Sequence, residues 1–149
     1  MKTELVKDWM TSKPVIASPD MVLPEAHKLM KDRRIRRLPV VDAKGKLLGI
    51  VTRGDIRGAE PSEATSLSIF EINYLLAKLT LERIMTKNPV TVSPDTSIGE
   101  AARVMLQKKI AGLPVIENGK VVGIITESDI FRLVVKTWEK EDQKKLEPA

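Results

Sequence analysis

The chain carries one stretch twice, and that duplication restricts its fold more than any other feature. Arg34–Ile56 reads R-I-R-R-L-P-V-V-D-A-K-G-K-L-L-G-I-V-T-R-G-D-I, and about 75 residues later Lys109–Ile130 reads K-I-A-G-L-P-V-I-E-N-G-K-V-V-G-I-I-T-E-S-D-I. Each copy is an apolar run, a tight Gly turn, a second apolar run and then Thr-x-x-Asp. Pairing Trp9–Asp42 with Ile84–Glu117, and Lys44–Arg57 with Asn118–Phe131, gives 21 identities in 48 positions. One register held over that length means two copies of one structural unit.

The elements of the unit follow from its periodicities. Pro14–Ala17 and Pro89–Val92 are short extended segments ended by Ser-Pro-Asp turns. A helix comes next. In the second copy Ile98, Ala101, Ala102, Met105 and Leu106 form a one-sided apolar stripe, with Ser97 and Glu100 as its capping box. The first copy keeps Leu23, Ala26 and Met30 on the stripe and puts His27 where the second has Ala102, which predicts a partly buried packing histidine. Leu38–Val41 and Leu113–Ile116 are nearly continuous apolar runs and predict strands buried on both faces. Asn118-Gly119 has the composition of a type I′ turn, and Ala43-Lys44-Gly45 of a slightly longer loop. The return strands Leu47–Thr52 and Val121–Thr126 end where a second helix starts. Strand, helix, strand, strand, helix is a small α/β (α+β) unit that cannot cover its sheet alone, and two packed together can.

Between the copies, Gly58–Thr80 opens polar and becomes helical at Ser68, where Ser68 and Glu71 form another capping box. Ile69, Ile72, Leu76 and Leu79 make a stripe that predicts docking on the core. The last helix carries Val134 and Trp138 on one face, and Lys140–Pro148 reads as a mixed-charge tail that frays. The predicted boundaries are 1–60 for the first unit, 61–79 for the linker and 80–149 for the second unit with its tail.

Composition narrows the function. The chain has 149 residues, 42% of them apolar, and no apolar run approaches the roughly 20 residues of a membrane span. Acids interrupt the apolar part of M-K-T-E-L-V-K-D-W-M, which argues against a secretory signal. With no cysteine there is no thiolate metal site or Cys nucleophile, and the expected location is cytoplasmic. The net charge of +5 is spread among 20 acids and 25 bases, with one dense patch from Lys28 to Arg37. That patch suits phosphate, on a small ligand or on a nucleic acid. It is short and lacks aromatic side chains, which weighs against nucleic acid.

The residues of an enzyme are missing. There is no dinucleotide fingerprint or P-loop, and the single His has no recognisable Ser and Asp partners. Asp55 and Asp129 occupy matching positions, whereas an acid–base dyad needs unlike environments. Thr52-x-x-Asp55 and Thr126-x-x-Asp129 are ordinary helix caps by composition. Each also ends a buried strand, and a carboxylate there can accept both vicinal hydroxyls of a ribose. Arg36-Arg37, in the same hairpin, suit a phosphate.

The pattern M-T-x-x-P-V, R-R-L-P-V-V-D and G-I-V-T-R-G-D, with its second copy, resembles a tandem pair of cystathionine-β-synthase (CBS) domains over about residues 5–57 and 80–138. The linker A-E-P-S-E-A-T-S-L-S-I-F-E-I-N-Y-L-L-A-K-L resembles the acetoin-utilisation B-type subgroup. The resemblance implies two units packed sheet to sheet as a pseudo-two-fold pair, with clefts for AMP, ADP, ATP or S-adenosylmethionine. It puts Asp55 and Asp129 on ribose hydroxyls, with Thr52, Thr126 and Ser128 beside them. It puts adenine between the early strand (Lys13 and Val15, or Asn88 and Val90) and the hairpin (Ile35 and Pro39, or Ile110 and Pro114). Arg36 and Arg37 match the family's phosphate positions, where the second copy has Ala111 and Gly112, so the resemblance implies unequal sites.

The expected function is therefore a non-catalytic adenine-nucleotide sensor without a cofactor or metal, a homodimer acting on another protein. The alternatives are a nucleic-acid-binding module using Lys28–Arg37 and a structural dimerisation module with unused clefts.

Overall fold

The computed structural model describes residues 3–61 and 66–146. In chain order the elements are α1 (Val6–Trp9), β1 (Thr11–Ser12), α2 (Leu23–Arg33), β2 (Arg37–Val41), β3 (Leu47–Thr52), α3 (Arg53–Ala59), α4 (Ile69–Leu76), α5 (Leu81–Ile84), β4 (Thr86–Lys87), α6 (Ile98–Lys108), β5 (Gly112–Glu117), β6 (Lys120–Thr126) and α7 (Glu127–Leu146). The fold is mixed helix and sheet, with two three-stranded sheets ordered β2-β3-β4 and β1-β6-β5. Among the described residues no helix is long and apolar enough to cross a membrane.

Two compact units result, and neither is a continuous piece of chain. One comprises Val15–Pro89 with Asn118–Val121, and the other Met1–Pro14, Val90–Glu117 and Val122–Ala149. Each sheet thus takes its third strand from the opening segment of the other repeat. β1 pairs antiparallel with β6, Thr11 opposite Ile124, and β4 pairs antiparallel with β3, Ile50 opposite Thr86. The helical turns before those strands go with them. Val6 of α1 is fully buried among Ile98, Ala101, Met105, Leu113, Val115 and Ile125. Leu81 of α5 is fully buried among Leu23, Ala26, Met30, Leu38, Val51 and Ile56.

Two glycines make that exchange possible. A Cβ on Gly49 would come within 2.7 Å of both Met85 Sδ and the Thr86 carbonyl. A Cβ on Gly123 would meet Met10 Sδ and lie 2.9 Å from the Thr11 carbonyl. Each glycine therefore sits where the incoming strand crosses too closely for any side chain.

The hairpins form as their sequences predict. β2 is buried from Leu38 to Val41, and β5 from Gly112 to Val115. Asn118 at φ 52° and Gly119 at φ 77° are both left-handed, as a type I′ turn requires. The extended segments after Pro14 and Pro89 contribute one parallel bridge each, Ala17 to Val40 and Val92 to Val115.

Four expectations are corrected. Leu106 is 80% exposed, so the buried stripe of α6 ends at Met105. His27 lies on the surface, its Nδ1 3.2 Å from Glu60 Oε1 at the end of α3, a polar partner in place of an apolar packing contact. Ile69 is 75% exposed, and the linker docks through Leu76 and Leu79 instead. α7 continues through the charged tail to Leu146, a run dominated by Lys, Glu and Gln with good helix propensity. Ser62 in the linker and Pro148 at the end lie outside the described residues.

Candidate functional site

The two Thr-x-x-Asp motifs sit at matching places but are bonded differently. At the start of α3, Thr52 Oγ1 accepts the Asp55 N–H at 3.1 Å and Asp55 Oδ2 accepts the Thr52 N–H at 2.8 Å. This is a complete capping box. Asp55 is half-buried, and its Oδ1 has no bond to any described residue. One carboxylate oxygen therefore holds the fold and the other is available.

At the start of α7, Asp129 Oδ2 accepts from the Thr126 N–H at 2.8 Å and from Thr126 Oγ1 at 3.2 Å. Its Oδ1 accepts from Arg132 Nη1 at 2.6 Å. Asp129 is 4% exposed, and both of its oxygens are engaged. Gly58 stands where the repeat pairing places Arg132, so Asp55 has no such neighbour.

The remaining predicted site residues divide between the units. Val15, Ile35, Arg36, Arg37, Pro39, Thr52, Asp55 and Asn88 belong to the unit built on the first repeat. Lys13, Val90, Ile110, Ala111, Gly112, Pro114, Thr126, Ser128 and Asp129 belong to the other. The boundary falls after Pro14 and after Pro89, so Lys13 and Val15 are parted, as are Asn88 and Val90. Lys13 at φ 51° and Asn88 at φ 50° share a left-handed backbone just before these prolines. Pro39 and Pro114 are fully buried within their strands. Ile35 and Ile110 carry the half-exposed apolar surface of the hairpins.

One cluster extends the basic patch that the sequence marks between Lys28 and Arg37, adding Arg53 and Arg57. A cavity of about 520 Å³ in the first-repeat unit is lined by Lys31, Arg34, Arg36, Arg53 and Arg57, with Glu60 as the one carboxylate in its wall. The left-handed turn at Arg34 (φ 55°) ends α2 and brings the chain around toward β2. The Arg53 N–H donates to the Arg36 carbonyl at 2.8 Å, which ties the start of α3 to the entry of β2. Arg53 and Arg57 are one turn apart on the same face of α3. Their i, i+4 spacing was visible in the sequence; that α2 ends beside them was not.

This arrangement, a duplicated strand–strand–helix unit closed by Thr-x-x-Asp, defines a tandem repeat of the CBS type. The chain belongs to the CBS-domain family, whose sequence model matches residues 6–62 and 81–136. A CBS domain-containing protein of Dictyostelium discoideum is 36% identical over 136 residues, covering 91% of this chain and 94% of that protein. L-aspartate semialdehyde sulfurtransferase of Methanocaldococcus jannaschii is 36% identical over 130 residues, or 87% of this chain, but the chain spans 23% of that enzyme's length.

Among solved structures, a CBS domain pair in complex with 5′-methylthioadenosine and S-adenosyl-L-methionine superposes with a TM-score of 0.76 at 34% identity. The match covers 91% of this chain and 99% of that one. A Vibrio cholerae protein provisionally described as an acetoin utilisation protein gives 0.77 at 33% identity, over 99% of this chain and 100% of that one. The Arabidopsis thaliana CBS-pair protein CBSX2 in complex with AMP gives 0.75 at 26% identity, over 90% and 98%.

Proposed function

We propose that the chain is a non-catalytic regulatory module that binds an adenosine-containing ligand and passes the bound state to a partner protein in the cytoplasm. The observation that carries this reading is Asp55. Its Oδ2 is committed to the helix cap, and its Oδ1 is free to accept from a ribose hydroxyl. The complexes of similar CBS pairs with AMP, and with 5′-methylthioadenosine and S-adenosylmethionine, support the adenosine class. A ligand held between elements of this fold shifts the population of conformers only by its differential affinity for them, and that difference is what a partner reads.

The exposed stripe of Phe131, Val134, Val135 and Trp138 on α7 supports self-association as a homodimer. Isothermal titration with AMP, ADP, ATP and S-adenosylmethionine tests the ligand class. Absence of heat and of any thermal shift at millimolar concentrations of all four rejects it. Sedimentation equilibrium tests the dimer.

A further inference from the structure

We infer that the outward face of α4, in the linker, is a self-association surface whose occupant is α4 of a second copy of this chain, lying antiparallel. The family model matches residues 6–62 and 81–136, so α4 falls between the matched segments and lies outside the CBS motif. Six of its eight residues, Ile69–Leu76, are apolar, yet none of them is buried. A helix that is apolar all round belongs in an interior. Leu76, with Leu79 just beyond the helix, packs on the first-repeat core. On the other side Phe70, Tyr74 and Leu75 are 87%, 61% and 51% exposed. With Leu67 and Glu71 they line a groove of about 320 Å³.

This face is a regular stripe. Leu67, Phe70, Glu71, Tyr74, Leu75 and Lys78 follow the i, i+3, i+4, i+7, i+8, i+11 spacing of one side of a helix. The start of the helix is fixed by Ser68, whose Oγ accepts the Glu71 N–H at 3.2 Å. Lys78 Nζ lies over the Tyr74 ring, 4.1 Å from its centroid. Among the described residues neither Glu71 nor Lys78 belongs to an ion pair.

Those two charges select the occupant and its direction. They flank the midpoint between Tyr74 and Leu75 at equal distances along the chain. A two-fold axis through that midpoint sets Glu71 of each copy opposite Lys78 of the other, and Tyr74 of each against Leu75 of the other between the two pairs. A parallel pair would instead set Glu71 on Glu71 and Lys78 on Lys78, which like-charge repulsion opposes. A lipid surface is a poorer match, because interfacial helices carry a strongly basic polar face and this stripe has one cation against one acid.

The contact is small. Phe70, Tyr74 and Leu75 together offer roughly 400 Å² per copy, about half of the roughly 800 Å² per partner in a standard stable interface. Association through α4 is therefore reversible and concentration-dependent. It is separate from the α7 stripe, and where the proposed α7 dimer also forms, two such faces on one chain carry assembly past the dimer.

Sedimentation velocity of the full chain from micromolar to near-millimolar concentration tests the contact. Phe70→Gln/Leu75→Gln removes the apolar centre at two exposed positions and keeps good helix formers, so it should melt as wild type does. Glu71→Lys and Lys78→Glu each place like charges opposite one another across the two-fold axis. Wild type should show an association step that the glutamine variant and each charge variant weaken roughly tenfold or more. The step should return when the two charge variants are mixed in equal amounts, and when both changes are combined in one chain. Mixing repairs a contact between copies and cannot repair a charge needed only within its own chain. The step should also persist in Val134→Gln/Trp138→Gln, which removes the α7 stripe.

An association unchanged by all the α4 variants, or charge variants that do not re-associate on mixing, overturns the contact and leaves the face to a different protein. Variants that associate as wild type does but no longer bind vesicles of phosphatidylcholine and phosphatidylglycerol overturn it in favour of a membrane surface. An α4-dependent step without an α7-dependent one rejects the α7 dimer and supports this contact.

Discussion

Arg132 Nη1 lies 2.6 Å from Asp129 Oδ1, and at the matching position of the first repeat Gly58 leaves Asp55 Oδ1 without a counterpart. Two carboxylates that the sequence presents as equivalent are therefore in different states. A ribose reaching Asp129 must displace a guanidinium, whereas one reaching Asp55 meets an open oxygen.

Removing that competitor should open the second position. Arg132→Ala is expected to tighten adenosine binding at Asp129 by up to about fivefold, the range of a partly exposed ion pair. The stability cost should stay near zero to 1 kcal/mol because the Arg132 side chain is 65% exposed. Calorimetric titration resolving two sites checks it; an unchanged weaker constant would show that the pair does not compete.

Asp55 should have two separable roles. Asp55→Ala removes one half of the capping box and is expected to cost about 1 kcal/mol, read by urea unfolding. Asp55→Asn keeps an acceptor for the Thr52 N–H and should recover most of that stability. It replaces the carboxylate by an amide at the ribose position, so ligand affinity should still fall. Recovery of stability and affinity together would assign Asp55 to the cap alone.

The exchanged strands give a prediction about packing. Gly49→Ala puts a Cβ against Met85 and the Thr86 carbonyl, and Gly123→Ala does the same against Met10 and Thr11. Each should destabilise by about 1–3 kcal/mol, the typical cost of overpacking. Hydrogen exchange should rise at Thr86 in the first variant and at Thr11 in the second. Exchange that rises in the neighbouring hairpin and not in these strands would contradict the arrangement.

Leu81 tests the exchange from the side of the core. It follows the linker in sequence yet is fully buried with α2, β2 and β3. Leu81→Ala should cost 2–5 kcal/mol. Proteolysis of the variant should cut first within the first-repeat unit. Cleavage confined to the second-repeat unit would mean that α5 belongs elsewhere.

Much of each unit was readable from local signals. The apolar runs around Pro39 and Pro114, the Asn118-Gly119 turn and the Ser97 cap are short-range features, and each appears where its chemistry puts it. What escaped reading depends on contacts distant in sequence. β1 and β4 are two residues each, Thr-Ser and Thr-Lys, too short to carry a periodicity; only the fold reveals which hairpin each one joins. His27 and Leu106 occupy stripe positions whose burial depends on what covers that turn of the helix. The arginine cavity needed the end of α2 and the start of α3 side by side, which no spacing along the chain expresses.

The central claim is that the free oxygen of Asp55 holds the ribose of an adenosine-containing ligand. Titration of AMP into wild type and into Asp55→Asn, with both proteins verified as equally folded, tests it most directly. Wild type should bind, and the variant should lose one site or bind there roughly tenfold or more weakly. Equal affinity and equal stoichiometry in the two proteins would contradict it.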